Sequence, residues 1–441
     1  MRRALHPATR HTLAVVPLLL DLTPLRVNPA YRRLYAGFTF ANVGSQLAVV
    51  AVGLQVYDLT KSTAAVGLVG LFALVPLVAM GLYGGALVDH FDRRVVGLAG
   101  QAVAFVTSIA CALQAWLGNT HVWVLYLLVA VWNGAFAVTS PARTAIYPRI
   151  LDRELLPAAN ALSVFAMNAS LTVGPLLAGF LVDWGGFKAA YTVDAVITTA
   201  ALWGLSTLPP LPPERADGAS EAPTRPGLRS VLDGLSFLAT RPNVRMTFVA
   251  DIAAMFLAQP RVLFPAAGAV IFGGGAKTVG ALAAAAAVGG IGAMFFSGRL
   301  GTVRRQGLAI LVSIVGWGAA IAGFGASMLA AGGVLTRTQA LYPALLAMAV
   351  AGASDSVSSV FRQTILQAAT PDHLRGRLQG VFIVVVAGGP RLGEMAGGFL
   401  ASHVGEGRTA LFGGVACVAA MVVLARLQPG FVRYDARHPT P

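Results

Sequence analysis

Long apolar runs separated by short polar turns dominate the chain. A helix needs roughly 20 mostly apolar residues to cross the hydrocarbon of a membrane. Runs of about that length, bounded by charges, prolines and glycines, occur twelve times. The predicted spans are 36–56, 64–88, 95–117, 121–142, 160–183, 187–208, 244–271, 277–300, 307–328, 340–363, 377–401 and 407–427. No run alternates polar and apolar residues like a barrel strand, so the pattern predicts an all-α integral membrane protein with 12 transmembrane helices.

One polar stretch is longer than the others and divides the spans into two sets of six. It covers residues 209–243 and carries scattered charges and several prolines, which are typical of a linker. The predicted organisation follows from this division. It is an N-terminal segment, a six-helix bundle, a linker, a second six-helix bundle and a C-terminal tail, at 1–35, 36–208, 209–243, 244–428 and 429–441.

The two halves share an internal repeat with an offset of 219 residues. Ser140, Arg143 and Ile146 recur as Ser359, Arg362 and Ile365, and the Gly-Phe-Leu triplet at 179–181 recurs at 398–400. Because each half has an even number of spans, both copies enter the membrane from the same side. We therefore expect two pseudo-symmetric bundles related by an axis along the membrane normal, an arrangement that suits alternating access.

Composition and charge agree with a membrane protein. Charged residues make up 11% of the chain, against about 25% in a soluble domain. The net charge is +14, and placement explains it. With the N-terminus inside, and with basic residues near a span end counted with the adjoining segment, 25 fall on the inside, Arg362 among them. Five fall outside, and Arg261 and Arg391 lie in the middle of spans. This positive-inside asymmetry predicts that both termini are cytoplasmic and gives no reason to expect a nucleic-acid partner.

The sequence offers no metal or cofactor site. Cys111 and Cys417 lie far apart inside apolar runs, and the seven histidines form no ligand motif. We read both cysteines as small apolar residues. The expected partners are a small-molecule cargo and the lipid bilayer, with the chain acting as a monomer.

The loop after the second span holds an acid followed by paired arginines. It runs from Gly85 through Asp89 to Arg93 and Arg94. Such groups can link helix ends by pairing with each other and with helix dipoles. The alternative is an ordinary positive-inside turn.

This loop resembles the signature between the second and third helices of the major facilitator superfamily. His90 and Asp92 depart from that signature. The resemblance implies a cytoplasmic gate in which Asp89 holds the two bundles together, with Arg143 and the start of the eleventh span.

A second motif lies in the fifth span. Gly174, Pro175 and Gly179 resemble the end of the superfamily's antiporter motif, although Ser163 and Ser170 replace its upstream glycines. The alternative is a packing role, because small residues allow close helix approach and proline bends a span. The basic residue often found in the fourth span of proton-coupled drug exporters is missing here.

Several further segments resemble the enterobactin-exporter subgroup of bacterial siderophore exporters. They are 27–32, 230–238, 261–266 and 364–372, the last followed by Gly376 and Arg377. The resemblance implies an exporter of the bacterial cytoplasmic membrane that is driven by the proton gradient and moves a siderophore-like or amphipathic molecule. One rival is a broad-specificity multidrug efflux antiporter. A membrane-embedded enzyme is the rival from another class, and the spans lack the nucleophile, base or ligand cluster that it needs.

Six charged residues lie inside the predicted spans. Each costs roughly 2.5–3.5 kcal/mol at the bilayer centre, so we expect them to pair or to face a wet cavity. They are Asp194, Asp251, Arg261, Asp355, Arg391 and Glu394.

Two of these charges, Arg261 and Asp355, lie on the seventh and tenth spans, which the resemblance places around a central cavity. Pro260 and Pro265 flank Arg261 and can unwind the helix there. Arg261 is a candidate cargo contact or half of a structural pair with Asp355. Asp355 is also a candidate proton carrier.

The other four charged residues inside the spans have different predicted roles. Arg391 and Glu394 stand three apart on one helix face, which favours an internal pair. Glu394 and Asp251 are further candidates for proton coupling. Asp251 and Asp194 are expected nearer the membrane surfaces and rank lower for a role in the cavity.

Polar residues of the N-terminal half complete the predicted cavity. Asn42, Ser45 and Gln46 on the first span, with Trp132 and Asn133 on the fourth, are candidates for the opposite wall. Interhelical hydrogen bonding and an interfacial tryptophan are the alternative.

Overall fold

A computed structural model describes residues 21–211, 236, 238–294, 303–368 and 372–437. Within helices, the side chains of 82–90, 144, 145, 153, 157, 367, 368, 372–384 and 387 lie outside the description. In the described part of the chain the regular structure is helical, and the only β pairing is two isolated bridges.

The N-terminal half contains four separate long helices and one long kinked helix. They are α1 (Pro29–Thr60), α2 (Thr63–His90), α3 (Arg93–Trp116), α4 (Val122–Ile150) and the kinked helix Leu156–Ser206. Gly186 breaks this last helix with a φ of 68°, in the left-handed region that glycine adopts without strain. We label its arms α5 (156–185) and α6 (187–206). A short helix, Thr23–Val27, precedes α1, and a 3₁₀ turn, Arg153–Leu155, precedes α5.

The C-terminal half repeats the arrangement. Its long helices are α7 (Pro242–Leu257), α8 (Gly275–Met294), α9 (Gln306–Ala330), α10 (Arg337–Ala368), α11 (Asp372–Val404) and α12 (Glu406–Leu427). A short helix, Pro429–Val432, follows α12.

The predicted spans correspond to these helices. Ten helices in the described residues are long and apolar enough to cross a membrane. One of them, Ala158–Ser206, contains the fifth and sixth predicted spans, and Asp372–Val404 contains the eleventh. Most helices extend past the apolar runs. For example, α1 starts at Pro29 inside the predicted N-terminal segment, because Tyr31 and Leu34 are buried against the ends of α4 and α5.

The backbone of the seventh span is irregular in its second half. After Leu257 the chain passes through a 3₁₀ turn (Arg261–Leu263), one α turn (Phe264–Ala266) and a π turn (Ala267–Ile271). Pro260 and Pro265 cannot donate backbone hydrogen bonds, and two such residues five apart favour the break in the regular helix there. Phe264 packs edge-on against Phe324 of α9, with ring centroids 5.9 Å apart, and holds the segment in place.

The two bundles meet along two helix pairs, α2 with α11 and α5 with α8. Glycines allow both approaches. A Cβ atom on Gly67 of α2 would lie 2.7 Å from the Glu394 carbonyl oxygen, and one on Gly179 of α5 would lie 2.7 Å from the Ala276 carbonyl oxygen. Backbone-to-backbone packing of this kind needs glycine at the contact.

Candidate functional site

A cavity of about 220 Å³ lies between the two bundles. Helices α1, α2 and α5 form one wall, and the irregular part of the seventh span with α8–α11 forms the other. Its polar lining includes Gln46, Asn168, Gln259, Arg261, Trp317, Asp355, Ser356, Arg391 and Glu394. The rest of the wall is mainly apolar, so the cavity suits an amphipathic molecule with a few fixed polar contacts.

Arg261 and Asp355 both line this cavity, but they do not form a direct ion pair. Among the described residues no carboxylate lies within ion-pairing distance of Arg261. Asp355 instead lies 3.3 Å from Nη2 of Arg362 and keeps 43% of its side chain exposed. Arg261 therefore places a guanidinium on the cavity wall that has no direct ion pair among the described residues, although Asp355 is close enough to interact with it electrostatically.

Asp251 and Arg362 form a buried ion pair that joins α7 to α10. The two side chains are 6% and 5% exposed. This corrects one prediction: Arg362, which the charge count assigned to the inside, is buried within the protein. It lies near the end of the predicted tenth span, and helix α10 continues beyond it to Ala368. The expected position of Asp251 along the membrane normal stays a prediction.

Trp317 is a cavity residue that the sequence analysis missed. Its side chain lies on α9, and its indole N–H is buried without a hydrogen-bond partner while the residue lines the cavity. An unsatisfied donor of this kind is costly unless something accepts its hydrogen bond. The signal in the sequence was a lone tryptophan in the middle of an apolar run.

Arg391 and Glu394 meet within α11. Nη1 of Arg391 lies 3.3 Å from a carboxylate oxygen of Glu394, and both residues line the central cavity. A Cβ on Gly70 of α2 would lie 3.1 Å from Glu394, so the pair stands where the two bundles touch.

The polar residues of the N-terminal half are divided between cavities. Gln46 lines the central one. Asn42 and Trp132 line a second cavity of about 50 Å³ inside the N-terminal bundle. Trp132 and Asn133 line a third of about 50 Å³. The amide of Asn133 also donates to the Val129 carbonyl oxygen at 2.8 Å.

Asp194 is buried inside the N-terminal bundle. It is 3% exposed and borders both small cavities. The side chain faces α1 at Gly44, where a Cβ would lie 2.5 Å from the carboxylate oxygen.

The residues of the fifth-span motif lie at helix contacts. Gly174 faces Gln46 and Val43 of α1, and Gly179 faces Ala276 at the start of α8. Pro175 lines the central cavity, and its carbonyl oxygen lies against Gly280 of α8.

The loop between α2 and α3 can be described only in part. Gly85 and the side chain of Asp89 lie outside the described residues. Arg94 donates to the Ser206 carbonyl oxygen at 2.7 Å. Asp92 caps α3 by accepting from the Arg94 amide at 2.8 Å, and its second oxygen accepts from the Leu211 amide at 2.9 Å. Asp92 thus ties this loop to the end of α6.

The basic residues Arg93 and Arg143 also reach neighbouring parts of the N-terminal bundle. The backbone amide of Arg93 donates to the Leu211 carbonyl oxygen at 3.2 Å. The Arg143 guanidinium lies 5.0 Å from the ring centroid of Phe38 on α1.

The ends of the bundles that the charge pattern predicts to face outward are held together. Lys277 of α8 forms an ion pair with Asp183 of α5 at 2.7 Å. Thr63 of α2 donates to the Glu406 carboxylate of α12 at 2.6 Å. Both contacts cross the bundle interface, so the cavity is closed at this end.

Comparison with known proteins decides the family. The profile described as transmembrane secretion effector matches residues 20–436. The chain belongs to this family of the major facilitator superfamily. It is 29% identical over 425 residues to the enterobactin exporter EntS of Citrobacter koseri, covering 96% of this chain and 97% of that one. It is 30% identical over 419 residues to EntS of Shigella boydii, covering 93% and 96%.

Solved structures show the same fold. The nucleoside transporter NupG matches with a TM-score of 0.64 and 15% identity, over 92% of this chain and 99% of that one. A POT family transporter matches with a TM-score of 0.70 and 12% identity, over 92% and 97%. The predicted superfamily, its all-helical membrane fold and its nature as a transporter rather than an enzyme are confirmed.

Proposed function

We propose that this transporter is a proton-driven exporter of an anionic, siderophore-like molecule. The likeness to EntS over nearly the whole chain supports export. The basic-residue asymmetry supports an orientation with both termini in the cytoplasm of a bacterium and the linker on the same side. Closure at the opposite end, by Lys277 with Asp183, would then leave the cavity to load from the cytoplasm.

The observation that carries the proposal is the unpaired guanidinium of Arg261. A charged group on an apolar wall needs a counter-charge or water, and Asp355, which interacts with Arg261 electrostatically, does not come within ion-pairing distance of it. The Trp317 side chain adds an aromatic surface on the same wall. A cargo with acidic or phenolic oxygens would supply the direct counter-charge or hydrogen-bond acceptor that Arg261 lacks.

Coupling to protons is assigned to Asp355. This carboxylate is the accessible member of a chain that runs from Asp251 through Arg362 to the cavity. A proton on Asp355 would remove its attraction for Arg362 while leaving the buried pair with Asp251 intact. Cargo binding at Arg261 and proton binding at Asp355 would then both take place on the C-terminal wall of the central cavity, where each can influence the other.

Uptake into everted membrane vesicles with an imposed proton gradient tests the proposal. The probes are labelled enterobactin and a lipophilic cationic dye. Replacing Arg261 by alanine should reduce enterobactin uptake about tenfold or more, because a hydrogen bond to a charged group contributes roughly 1.5–3 kcal/mol. Arg261→Lys should recover part of the uptake, and the exposed Arg408→Ala on α12 serves as the control.

Two results would overturn the proposal. In one, enterobactin uptake is unchanged in Arg261→Ala. In the other, the wild type transports the cationic dye but not enterobactin, which would support the multidrug antiporter instead.

A further inference from the structure

Asp194 is a buried carboxylate that the proposed transport path does not use. It lies on α6, is 3% exposed, and has no Lys, Arg or His within ion-pairing distance among the described residues. The hydroxyl of Thr198 donates to it at 3.4 Å, and Ser108 of α3 is a second hydroxyl neighbour. A carboxylate held this way in a low-dielectric interior requires a positive charge from elsewhere.

The side chain of Asp194 borders two small cavities that have room for water. Two cavities of about 50 Å³ each border its side chain, and both are also lined by Ser45 and Trp132. A volume of roughly 10–15 Å³ already holds one water molecule when polar partners are present. Both cavities are therefore large enough to hold water beside the carboxyl, which can exchange a proton with it.

Charged groups stand beyond ion-pairing distance on two sides. Arg143 of α4 borders the first cavity, and Arg391 of α11 borders the second. Arg391 is paired with Glu394, and Arg143 lies over Phe38. A negative charge on Asp194 would attract either guanidinium across the shared cavity, although neither forms an ion pair with it in this structure.

The other titratable groups near Asp194 are Cys111 of α3 and Tyr191 of α6. From α1 the facing residues are Gly44, Asn42 and Ser45, none of which titrates. Asp194 is thus the only carboxyl group among these neighbours, and a carboxyl is a stronger acid than a thiol or a phenol.

We propose that Asp194 is a second proton-binding site, located inside the N-terminal bundle and separate from the Asp251–Arg362–Asp355 chain. Its place in the transport cycle rests on the proposed proton coupling, whereas proton binding itself does not. A sodium ion would need several oxygen ligands, which transporters obtain from unwound helices. Helices α1, α3 and α6 are continuous at this level, so their backbone carbonyl oxygens are already used.

Infrared difference spectroscopy tests this site on the purified full-length protein in lipid vesicles, without cargo. Stepping the pH should change the carbonyl-stretch band of a protonated carboxyl. We expect Asp194→Asn to remove the intensity of one carboxyl from this band, and Asp194→Glu to shift its frequency. The band should persist in Asp355→Asn and in the exposed control Asp58→Asn.

A second pair of variants covers the case in which Asp194→Asn does not fold. Gly44→Ala would place a methyl group 2.5 Å from the carboxylate, whereas Gly53→Ala on the same helix meets nothing closer than 3.8 Å. The first should shift the band, and the second should leave it unchanged.

The proposal is overturned if the band is the same in Asp194→Asn and the wild type. It is also overturned if added sodium alters the band at constant pH. The infrared measurement contains no cargo, so a failed enterobactin assay would not affect the assignment of Asp194 as a proton-binding site. Equally, an unchanged carboxyl band would contradict that assignment without contradicting export.

Discussion

Arg362 on α10 and Asp251 on α7 form an ion pair in which both side chains are more than nine-tenths buried. A second nitrogen of Arg362 reaches Asp355 at the cavity wall. The pair joins α10 to α7 just before the seventh span loses its regular helix. In the repeat, Arg143 occupies the register of Arg362 and contacts Phe38 of α1 instead. The C-terminal bundle therefore has a charged link where the N-terminal bundle has an aromatic one.

Removing Arg362 should strongly destabilise the protein. Arg362→Ala leaves Asp251 buried without a counter-charge, which typically costs 3–5 kcal/mol. Thermal unfolding of the purified protein in detergent measures this loss. The control is Arg304→Ala, because Arg304 pairs with Asp435 at an exposed position, where such pairs contribute about 0–1 kcal/mol.

A double variant separates the charge from the packing. Asp251→Leu combined with Arg362→Met should recover most of the lost stability, since apolar residues of similar volume often replace a buried pair without loss. A double variant as unstable as Arg362→Ala would show that the pair is not the source of the effect.

Asp355→Asn should uncouple transport from the proton gradient while leaving the fold intact. The asparagine can still accept a hydrogen bond from Arg362, but it cannot take up or release a proton. We expect vesicle uptake driven by a pH gradient to fall at least tenfold, while cargo exchange without a gradient persists. Gradient-driven uptake at the wild-type rate would remove Asp355 from the coupling mechanism.

A methyl group at Gly280 should open the end of the cavity that is closed here. A Cβ on Gly280 of α8 would overlap the carbonyl oxygen of Pro175 on α5, so α5 and α8 would have to separate. Distances between spin labels at residues 184 and 276 should lengthen in Gly280→Ala. Gly292→Ala on the same helix meets no atom within 4 Å and should leave the distances unchanged.

Unchanged spin-label distances would contradict this prediction for the α5–α8 interface. If both glycine variants give the wild-type distance distribution, the packing of α5 on α8 does not control the closure. The ion pair of Lys277 with Asp183 would then be the next contact to test, although its exposure predicts a small energetic contribution.

The helices could be predicted from the sequence because they are local. Twenty apolar residues bounded by charges or prolines form a helix in lipid whatever the rest of the chain does. Gly186 illustrates how short a boundary can be, because this single residue with a left-handed φ separates the helices of the fifth and sixth predicted spans. Helix ends were less predictable, since α10 continues to Ala368, beyond the end of the predicted span 340–363.

The candidate site was only partly predictable. Arg261, Asp355, Arg391 and Glu394 stood out because charge is rare in these spans, and all four line the cavity. Arg362 was counted among the inside basic residues, although the repeat had already matched it with Arg143. Trp317 carried no pattern that distinguishes a cavity donor from a residue facing lipid.

By itself the sequence determined a two-bundle membrane protein of the major facilitator type, because hydrophobic length and helix order are properties of the chain in lipid. The tertiary structure decided which charges meet. Asp355 pairs with Arg362 rather than Arg261, and Asp194 faces the gap at Gly44, because the approach of two helices depends on side chains far apart in sequence. In an apolar solvent each polar group must find its partner inside the protein, and only the packed bundles define where those partners are.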